Sequence, residues 1–179
     1  THLPSDFNST AIDEIAHASV SLTTEETASL LYEVPKAYHT QINDILLSAL
    51  TLAIGDWNGN YEVSLVLEGH GREEVIGLDV SRTLGWFTSI FPVYLKLSYP
   101  EDLAESLKEI KEYLRHIPNK GVGYGVLRFF GSQGLIKTDI LPGISFNYLG
   151  QWDSSLASNG LFQFAHESSG NDVSNDNAT

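Results

Sequence analysis

The sequence predicts a lobe of the α+β class, in which a mixed β-sheet is packed with helices. Three observations lead to this fold class. The 179 residues include 42% hydrophobic and 11% aromatic residues, which is enough to form one core. Segments of strand periodicity alternate loosely with segments of helical periodicity along the chain. No internal repeat is visible, and the alternation favours a layered lobe over an all-helical bundle.

The first part of the chain is predicted to be mainly helical. Residues 1–14 are polar and resemble a linker, and alternating residues over 16–22 predict a strand. The hydroxyl of Thr23 and the carboxylate of Glu26 have the spacing of a capping box. A helix is therefore expected to begin there and to end at Pro35.

A second helix is predicted to begin near Thr40, followed by a strand. Its core-facing side is expected to consist of six apolar residues: Ile42, Ile45, Leu46, Ala49, Leu50 and Ala53. An Asn-Gly turn within residues 56–60 then leads into a strand over residues 61–68. One face of that strand carries Tyr61, Val63, Leu65 and Leu67, and the other carries Glu62, Ser64, Val66 and Glu68. The carboxylate at position 68 thus points away from the apolar side.

The remaining elements are a strand, a helix, a turn and a third strand. The strand is expected over residues 90–97, and the next helix is expected to stop before Pro118. Its helical spacing is formed by Leu103, Leu107, Ile110 and Leu114. A glycine-rich turn over 119–125 precedes a third strand over 143–150, which has Ile144, Phe146 and Tyr148 opposite Ser145, Asn147 and Leu149. Residues 154–179 are predicted to form a polar loop or tail.

Charge and cysteine content limit the possible partners. The 23 acidic residues outnumber the 10 basic residues, for a formal net charge of -13, so nucleic acid and anionic membrane surfaces would be repelled. The chain has no cysteine, which excludes disulfides and fits a reducing compartment. The given sequence does not begin with a basic n-region and an apolar h-region, and it contains no run of ~18 apolar residues. We therefore expect a cytoplasmic protein that binds neither nucleic acid nor a membrane.

The common catalytic and binding motifs are absent from the sequence. The string GVGYG at 121–125 is not a dinucleotide fingerprint, because the third glycine is missing and a helix precedes it. Neither a Walker lysine pattern nor a G-x-S-x-G elbow occurs. The six histidines lack the spacing of a zinc site, so no metal is expected.

Five local strings, in a fixed order, resemble the motifs of one family. They are AYHTQINDILLSAL, EGHGRE, RTLGWFTSIFPV, IPNKGVGYG and FNYLGQWD. Over about residues 16–153 the chain is similar to the epimerization domains of non-ribosomal peptide synthetases. The HHxxxDG motif of that family has no counterpart here. The resemblance implies that residues 1–179 form the C-terminal lobe of a two-lobed fold like that of chloramphenicol acetyltransferase, with the active site between the lobes and the N-terminal lobe absent.

The resemblance implies an isomerase of antibiotic biosynthesis. It would invert the α-carbon of an aminoacyl or peptidyl thioester that is carried on the 4'-phosphopantetheine of a peptidyl carrier protein. No other cofactor is implied. The further implied partners are the N-terminal lobe and a downstream condensation domain. This lobe alone would be inactive, because the other lobe supplies a catalytic histidine.

This reaction needs a base for a weakly acidic α-proton and donors for the enolate charge. Glu68 is the candidate base, opposite the histidine of the other lobe. Gly69 and Gly71 would leave room for the pantetheine arm, and His70 would either contact it or shape the turn by hydrogen bonds. Arg82 corresponds to a family position linked to activity. It would hold the carboxylate or the arm, or form an ordinary ion pair.

Four further residues complete the set of candidates. Trp86 and Phe87 would line the tunnel, or belong to the core as aromatic residues commonly do. Asn147 and Tyr148 match family residues implicated in catalysis, through an amide that can bind an oxyanion and a phenol that can donate a proton. Because strand alternation puts these two side chains on opposite faces, only one is expected to face the tunnel, and Asn147 is preferred. Arg72 would either act in the site or, as is preferred, shape the EGHGRE turn by hydrogen bonds.

Two other functions remain open from the sequence. A condensation domain shares the fold and forms amide bonds between two carrier-bound substrates, although the strings EGHGRE and FNYLGQ favour epimerization. A non-catalytic lobe that docks carrier proteins is the other alternative. For such a lobe, intact acid and base residues would be superfluous.

Overall fold

The computed structural model of the chain describes residues 18–73, 77, 79–130 and 142–150. Within these residues the α+β class is confirmed, because a three-stranded mixed sheet is packed with helices. The chain divides into a unit from Thr1 to Tyr148 and a second unit, of which only Leu149 and Gly150 are described. The predictions for residues 1–14 and 154–179 lie outside the described residues.

The sheet has its longest pairing between its first two strands. In chain order the strands are β1 (Glu62–Gly69), β2 (Ser89–Lys96) and β3 (Ser145–Phe146). β1 lies in the middle, antiparallel to β2 and parallel to β3. In this register Leu67 lies opposite Phe91 on one side and Phe146 on the other. The strands predicted over residues 61–68, 90–97 and 143–150 are present, and the third is shorter than predicted.

Five α-helices occur in the described part of the chain, and the last three of them contact the sheet. In chain order they are α1 (Thr24–Ala28), α2 (Val34–Tyr38), α3 (Ile42–Asn58), α4 (Leu103–Arg115) and α5 (Val122–Phe129). A π-helical turn (Ser29–Glu33) joins α1 to α2, and a 3-10 turn (Pro118–Gly121) precedes α5. None of the helices among the described residues has the length and apolar character needed to cross a membrane.

The core is formed by the inner face of the sheet together with α3 and α4. Leu65 and Leu95 of the sheet, Leu47 of α3 and Ile110 of α4 are all 0% exposed. Each fully buried leucine or isoleucine contributes about 1.5–3 kcal/mol relative to an exposed position. The predicted inward face of β1 is confirmed, and β2 alternates between buried and exposed residues.

The structure corrects part of the predicted N-terminal region. Residues 18–22 form no strand and are exposed, because no described strand pairs with them. The capping box is confirmed: the Thr23 hydroxyl accepts from the Glu26 N–H at 3.2 Å, and the Glu26 carboxylate accepts from the Thr23 N–H at 2.8 Å. Pro35 does not end the helical run. It lies in the first turn of α2, where its missing N–H is not needed, and the run ends at the left-handed His39.

The predicted core-facing side of α3 is wrong. The two alanines of that side are exposed, whereas the polar residues Asp44, Ser48 and Thr51 are buried. The hydroxyls of Ser48 and Thr51 donate to backbone carbonyls four residues earlier, at 2.7 and 2.8 Å. Asp44 pairs with Arg115 of α4 at 3.2 Å. Since these polar groups are satisfied within the protein, they can occupy the buried side.

Two glycine-containing stretches have roles that differ from the predicted turns. Gly59, with a φ of 73°, caps the C-terminus of α3 directly after Asn58. Gly123 and Gly125 lie inside α5 rather than in a turn. The change of direction is completed before them, in the 3-10 turn.

Candidate active site

The sheet topology brings two of the candidate catalytic residues together. Glu68 lies near the end of β1, and Asn147 directly follows β3. Because Leu67 is level with Phe146 in the parallel pair, the next residue of each strand lies side by side. The side-chain Nδ2 of Asn147 donates a hydrogen bond to Glu68 Oε2 at 3.0 Å. Glu68 is half-buried and Asn147 is exposed, so the pair lies at an accessible edge of the core.

Tyr148 lies on the other side of the same segment. Ile144 and Phe146, which share its alternation, are half-buried and packed against the core. Asn147 and Ser145 are exposed. The phenol of Tyr148 is therefore directed away from the side on which the amide meets the Glu68 carboxylate.

The turn after β1 is held by close contact between two segments of backbone. Gly71 has a φ of 65°, and a Cβ at this position would overlap the carbonyl oxygen of Phe87. A Cβ at Gly69 would lie 2.8 Å from the Ser89 hydroxyl oxygen. The space that was expected to receive the pantetheine arm is thus occupied, at Gly71, by the chain itself. Glycine is required there because two segments approach each other closely.

Arg72 organises the loop that leads to β2. Its guanidinium donates to the carbonyl oxygens of Val80 and Gly85, the latter at 3.1 Å, and lies 4.1 Å from the centre of the Phe87 ring. A planar cation can serve two acceptors and an aromatic face at once. Arg72 thus has a structural role, but its guanidinium holds the loop at Val80, Gly85 and Phe87 and not the EGHGRE turn itself.

Arg82 and Trp86 lie on the same loop, between Arg72 and β2. Arg82 is exposed and makes no ion pair with any residue that the structure describes. Trp86 is 91% exposed. Neither side chain hydrogen-bonds to Glu68. Within the described residues, no contact tests whether Arg82 holds the carboxylate or the arm, or whether Trp86 lines the tunnel.

A charged network follows Glu68 in the chain. His70 Nδ1 accepts from the Arg72 N–H at 3.0 Å, and His70 Nε2 lies 3.1 Å from Glu73 Oε1. The second oxygen, Glu73 Oε2, accepts from Lys120 Nζ at 2.7 Å. The sequence patterns did not indicate this role for Glu73 and Lys120. The available signal was that one lies in the EGHGRE string and the other in the IPNKGVGYG string, but only the tertiary fold brings the two strings together.

A cavity of about 600 Å³ lies beside this turn. Its wall includes His70, Arg72, Glu73 and Asp79. Glu68 and Asn147 do not line it, so the cavity is adjacent to the candidate catalytic pair and does not contain it. Hydrogen bonds from the hydroxyl and the N–H of Ser81 hold the pKa of Asp79 below its usual range. No cluster of three or more metal-ligating side chains is formed by the residues that the structure describes.

Comparison with known proteins identifies the family. The chain matches the family described as "Condensation domain" over residues 1–178. The chain belongs to the condensation domain family. It is similar in structure to the epimerization domain from the third module of tyrocidine synthetase B, with a TM-score of 0.68 and 47% sequence identity over 75% of this chain and 31% of that chain. The predicted kinship with these domains and their fold is confirmed.

Several long synthases contain a region similar to this chain. Surfactin synthase subunit 1 of Bacillus subtilis (strain 168) is 49% identical over 158 residues, and bacitracin synthase 3 of Bacillus licheniformis is 48% identical over 153 residues. Gramicidin S synthase 1 of Brevibacillus brevis is 43% identical over 166 residues. The matches cover 86%, 85% and 90% of this chain, but only 4%, 2% and 15% of the respective synthases.

Proposed function

We propose that the chain is the C-terminal lobe of an epimerization domain. The domain would invert the α-carbon of an aminoacyl or peptidyl thioester on the phosphopantetheine of a peptidyl carrier protein, during cytoplasmic synthesis of a non-ribosomal peptide antibiotic. The observation that carries the proposal is the 3.0 Å hydrogen bond between Asn147 and Glu68, because it joins the EGHGRE and FNYLGQWD strings at one point. The 47% identity with the tyrocidine synthetase epimerization domain supports the same function.

In the proposed reaction the carboxyl group of Glu68 exchanges a proton with the α-carbon. When it acts as the base, it takes the α-proton, and the electron pair of the C–H bond passes into the thioester enolate. Asn147 holds Oε2, and no group among the described residues bonds Oε1, which is therefore the oxygen that meets the substrate. The second N–H of the Asn147 amide is suited to stabilise the developing enolate charge.

Inversion needs a second acid–base group on the opposite face of the α-carbon. We assign this role to a histidine of the N-terminal lobe, whose HHxxxDG motif does not occur in this chain. The N-terminal lobe, the carrier protein and a downstream condensation domain are the partners that this function requires. This lobe alone would then bind the carrier protein without epimerizing the thioester on it.

The phosphopantetheine arm is part of the substrate in this proposal. The half-buried Glu68 and the exposed Asn147 leave the carboxylate open to a thioester that approaches from the sheet edge. Gly69 and His70 directly follow Glu68 and are the proposed arm contacts. Gly71 is not a proposed arm contact, because the Phe87 carbonyl occupies the space beside it.

The family match favours one second candidate. A condensation domain would form an amide bond between two carrier-bound substrates, and the family description names that activity. Such a reaction exchanges no α-proton, so the two functions predict different products. A docking lobe without chemistry would give neither product.

The test is the Glu68→Gln variant of the complete domain, assayed with a carrier-bound aminoacyl thioester in deuterated water. Loss of the acid–base group should slow α-proton exchange by about 100-fold or more, while carrier binding is retained. Glu62→Gln is the matched control, because Glu62 shares the outward face of β1 and pairs with Lys96 at 2.8 Å. Its exchange rate should stay within about twofold of the unmodified domain.

Unchanged exchange in Glu68→Gln would reject the assignment of this residue. Amide formation by the unmodified domain, without α-proton exchange, would favour condensation. Carrier binding with neither reaction would favour the docking lobe.

A further inference from the structure

The 3-10 turn before α5 has an unusual backbone. Asn119 and Lys120 both have a φ of 49°, and Gly121 follows at 81°. Left-handed backbone is unfavourable for residues that carry a Cβ, because the Cβ comes close to a carbonyl oxygen. Two such residues in succession persist only when the surrounding structure holds them.

Contacts on both sides hold this turn. Gly121 is buried, and a Cβ there would overlap the ring of Phe91, so the turn is pressed against β2. On the other side, Lys120 Nζ donates to Glu73 Oε2 at 2.7 Å. The left-handed backbone thus directs the lysine to the turn that follows β1.

Glu73 links Lys120 to His70. Its side chain is only 13% exposed, and each of its two oxygens meets one of these partners. Because His70 Nδ1 accepts from the Arg72 N–H, Nε2 is the ring nitrogen that donates to Glu73. Lys120 is the cation that meets Oε2 of this largely buried carboxylate, and without it that oxygen would lose its partner.

We infer that Lys120 is a positioning residue for Glu68, acting through Glu73 and His70. His70 lies two residues after Glu68, so movement of this turn moves the end of β1 that carries the carboxylate. The inference rests on the proposed function. Lys120 is itself 73% exposed, and exposed ion pairs contribute little to stability. Its effect is therefore expected on the turn at residues 70–73 and on the geometry of the site, more than on the global stability of the protein.

The test is the Lys120→Met variant of the complete domain, with α-proton exchange on a carrier-bound aminoacyl thioester as the assay. A small misplacement of the base should lower kcat by about tenfold, while KM for the loaded carrier changes by less than about twofold. Lys120→Arg keeps the cation and should restore kcat to within about threefold. Lys108→Met is the matched control, because it removes another 2.7 Å lysine–glutamate pair, on α4, and should leave both constants unchanged.

A second measurement does not depend on activity. Amide hydrogen exchange of residues 70–73 should become faster in Lys120→Met and stay unchanged in Lys108→Met. An unchanged kcat in Lys120→Met overturns the inference even if hydrogen exchange rises, because the lysine would then only stabilise the turn. If the unmodified domain exchanges no α-proton, the proposed function fails instead. Unchanged hydrogen exchange in Lys120→Met would then overturn the link between Lys120 and the turn.

Discussion

The substitution Gly71→Ala tests whether close backbone contact shapes the turn beside Glu68. Gly71 and Gly59 have similar left-handed φ values, 65° and 73°, but a Cβ at Gly59 would meet nothing within 4 Å, whereas one at Gly71 would overlap the Phe87 carbonyl. An alanine in left-handed backbone costs about 1–2 kcal/mol, which is the whole expected effect of Gly59→Ala. Gly71→Ala adds about 1–3 kcal/mol for forcing the two segments apart. Gly71→Ala is therefore expected to lower the opening free energy by about 2–5 kcal/mol.

The assay is amide hydrogen exchange in the complete domain, which gives the opening free energy of each segment. Gly71→Ala should lower protection in two segments at once, residues 69–73 and 85–89, because both must move. Gly59→Ala should affect only the end of α3. Equal losses of opening free energy in the two variants, or an effect of Gly71→Ala confined to one segment, would refute the reasoning.

Two further predictions concern polar contacts outside the site. Asp44→Ala removes the acceptor of the Gln41 N–H at 2.7 Å and of the Arg115 guanidinium at 3.2 Å, and should lower the free energy of unfolding by about 2–4 kcal/mol in urea denaturation. A loss below about 0.5 kcal/mol would contradict this. The Lys96 hydrogen bond lowers the pKa of Glu62, and the Glu62 carboxylate raises the pKa of Lys96. The pair therefore stabilises the fold at pH values between the lowered pKa of Glu62 and the raised pKa of Lys96. Its contribution is lost as the pH falls through the first or rises through the second. In Lys96→Met, a carboxyl NMR titration should show the pKa of Glu62 moving upward, and an unchanged titration would contradict the assignment.

The strands could be predicted from the sequence because their signal is local. Alternating apolar residues identified β1, and the same alternation placed Glu68 opposite the apolar face of that strand. The pairing of β3 with β1 could not be predicted from the local sequence of either strand, since Glu68 and Asn147 are 79 residues apart. Only the family resemblance indicated that these two residues act in one site.

Other features could not be predicted because they depend on tertiary contacts. Apolar residues were expected to face the core on α3, but Asp44 is buried because Arg115 of another helix reaches it. The left-handed backbone of Lys120 is a similar case. Lysine has no preference for this conformation, and the carboxylate that Lys120 meets, that of Glu73, is far away in the sequence. Gly71 was expected to leave room for the pantetheine arm, but the Phe87 carbonyl occupies that space.

The central claim is that the domain inverts an α-carbon on a carrier-bound thioester. The most direct test incubates the complete domain in deuterated water with its carrier protein loaded with each common L-amino acid in turn, then releases the products for chiral chromatography and mass spectrometry. The D-amino acid is expected to appear with one deuterium at the α-carbon, and Glu68→Gln is expected to abolish both signals. Recovery of only the undeuterated L-amino acid from every loaded carrier, with a domain that is folded and binds the carrier, would contradict the account.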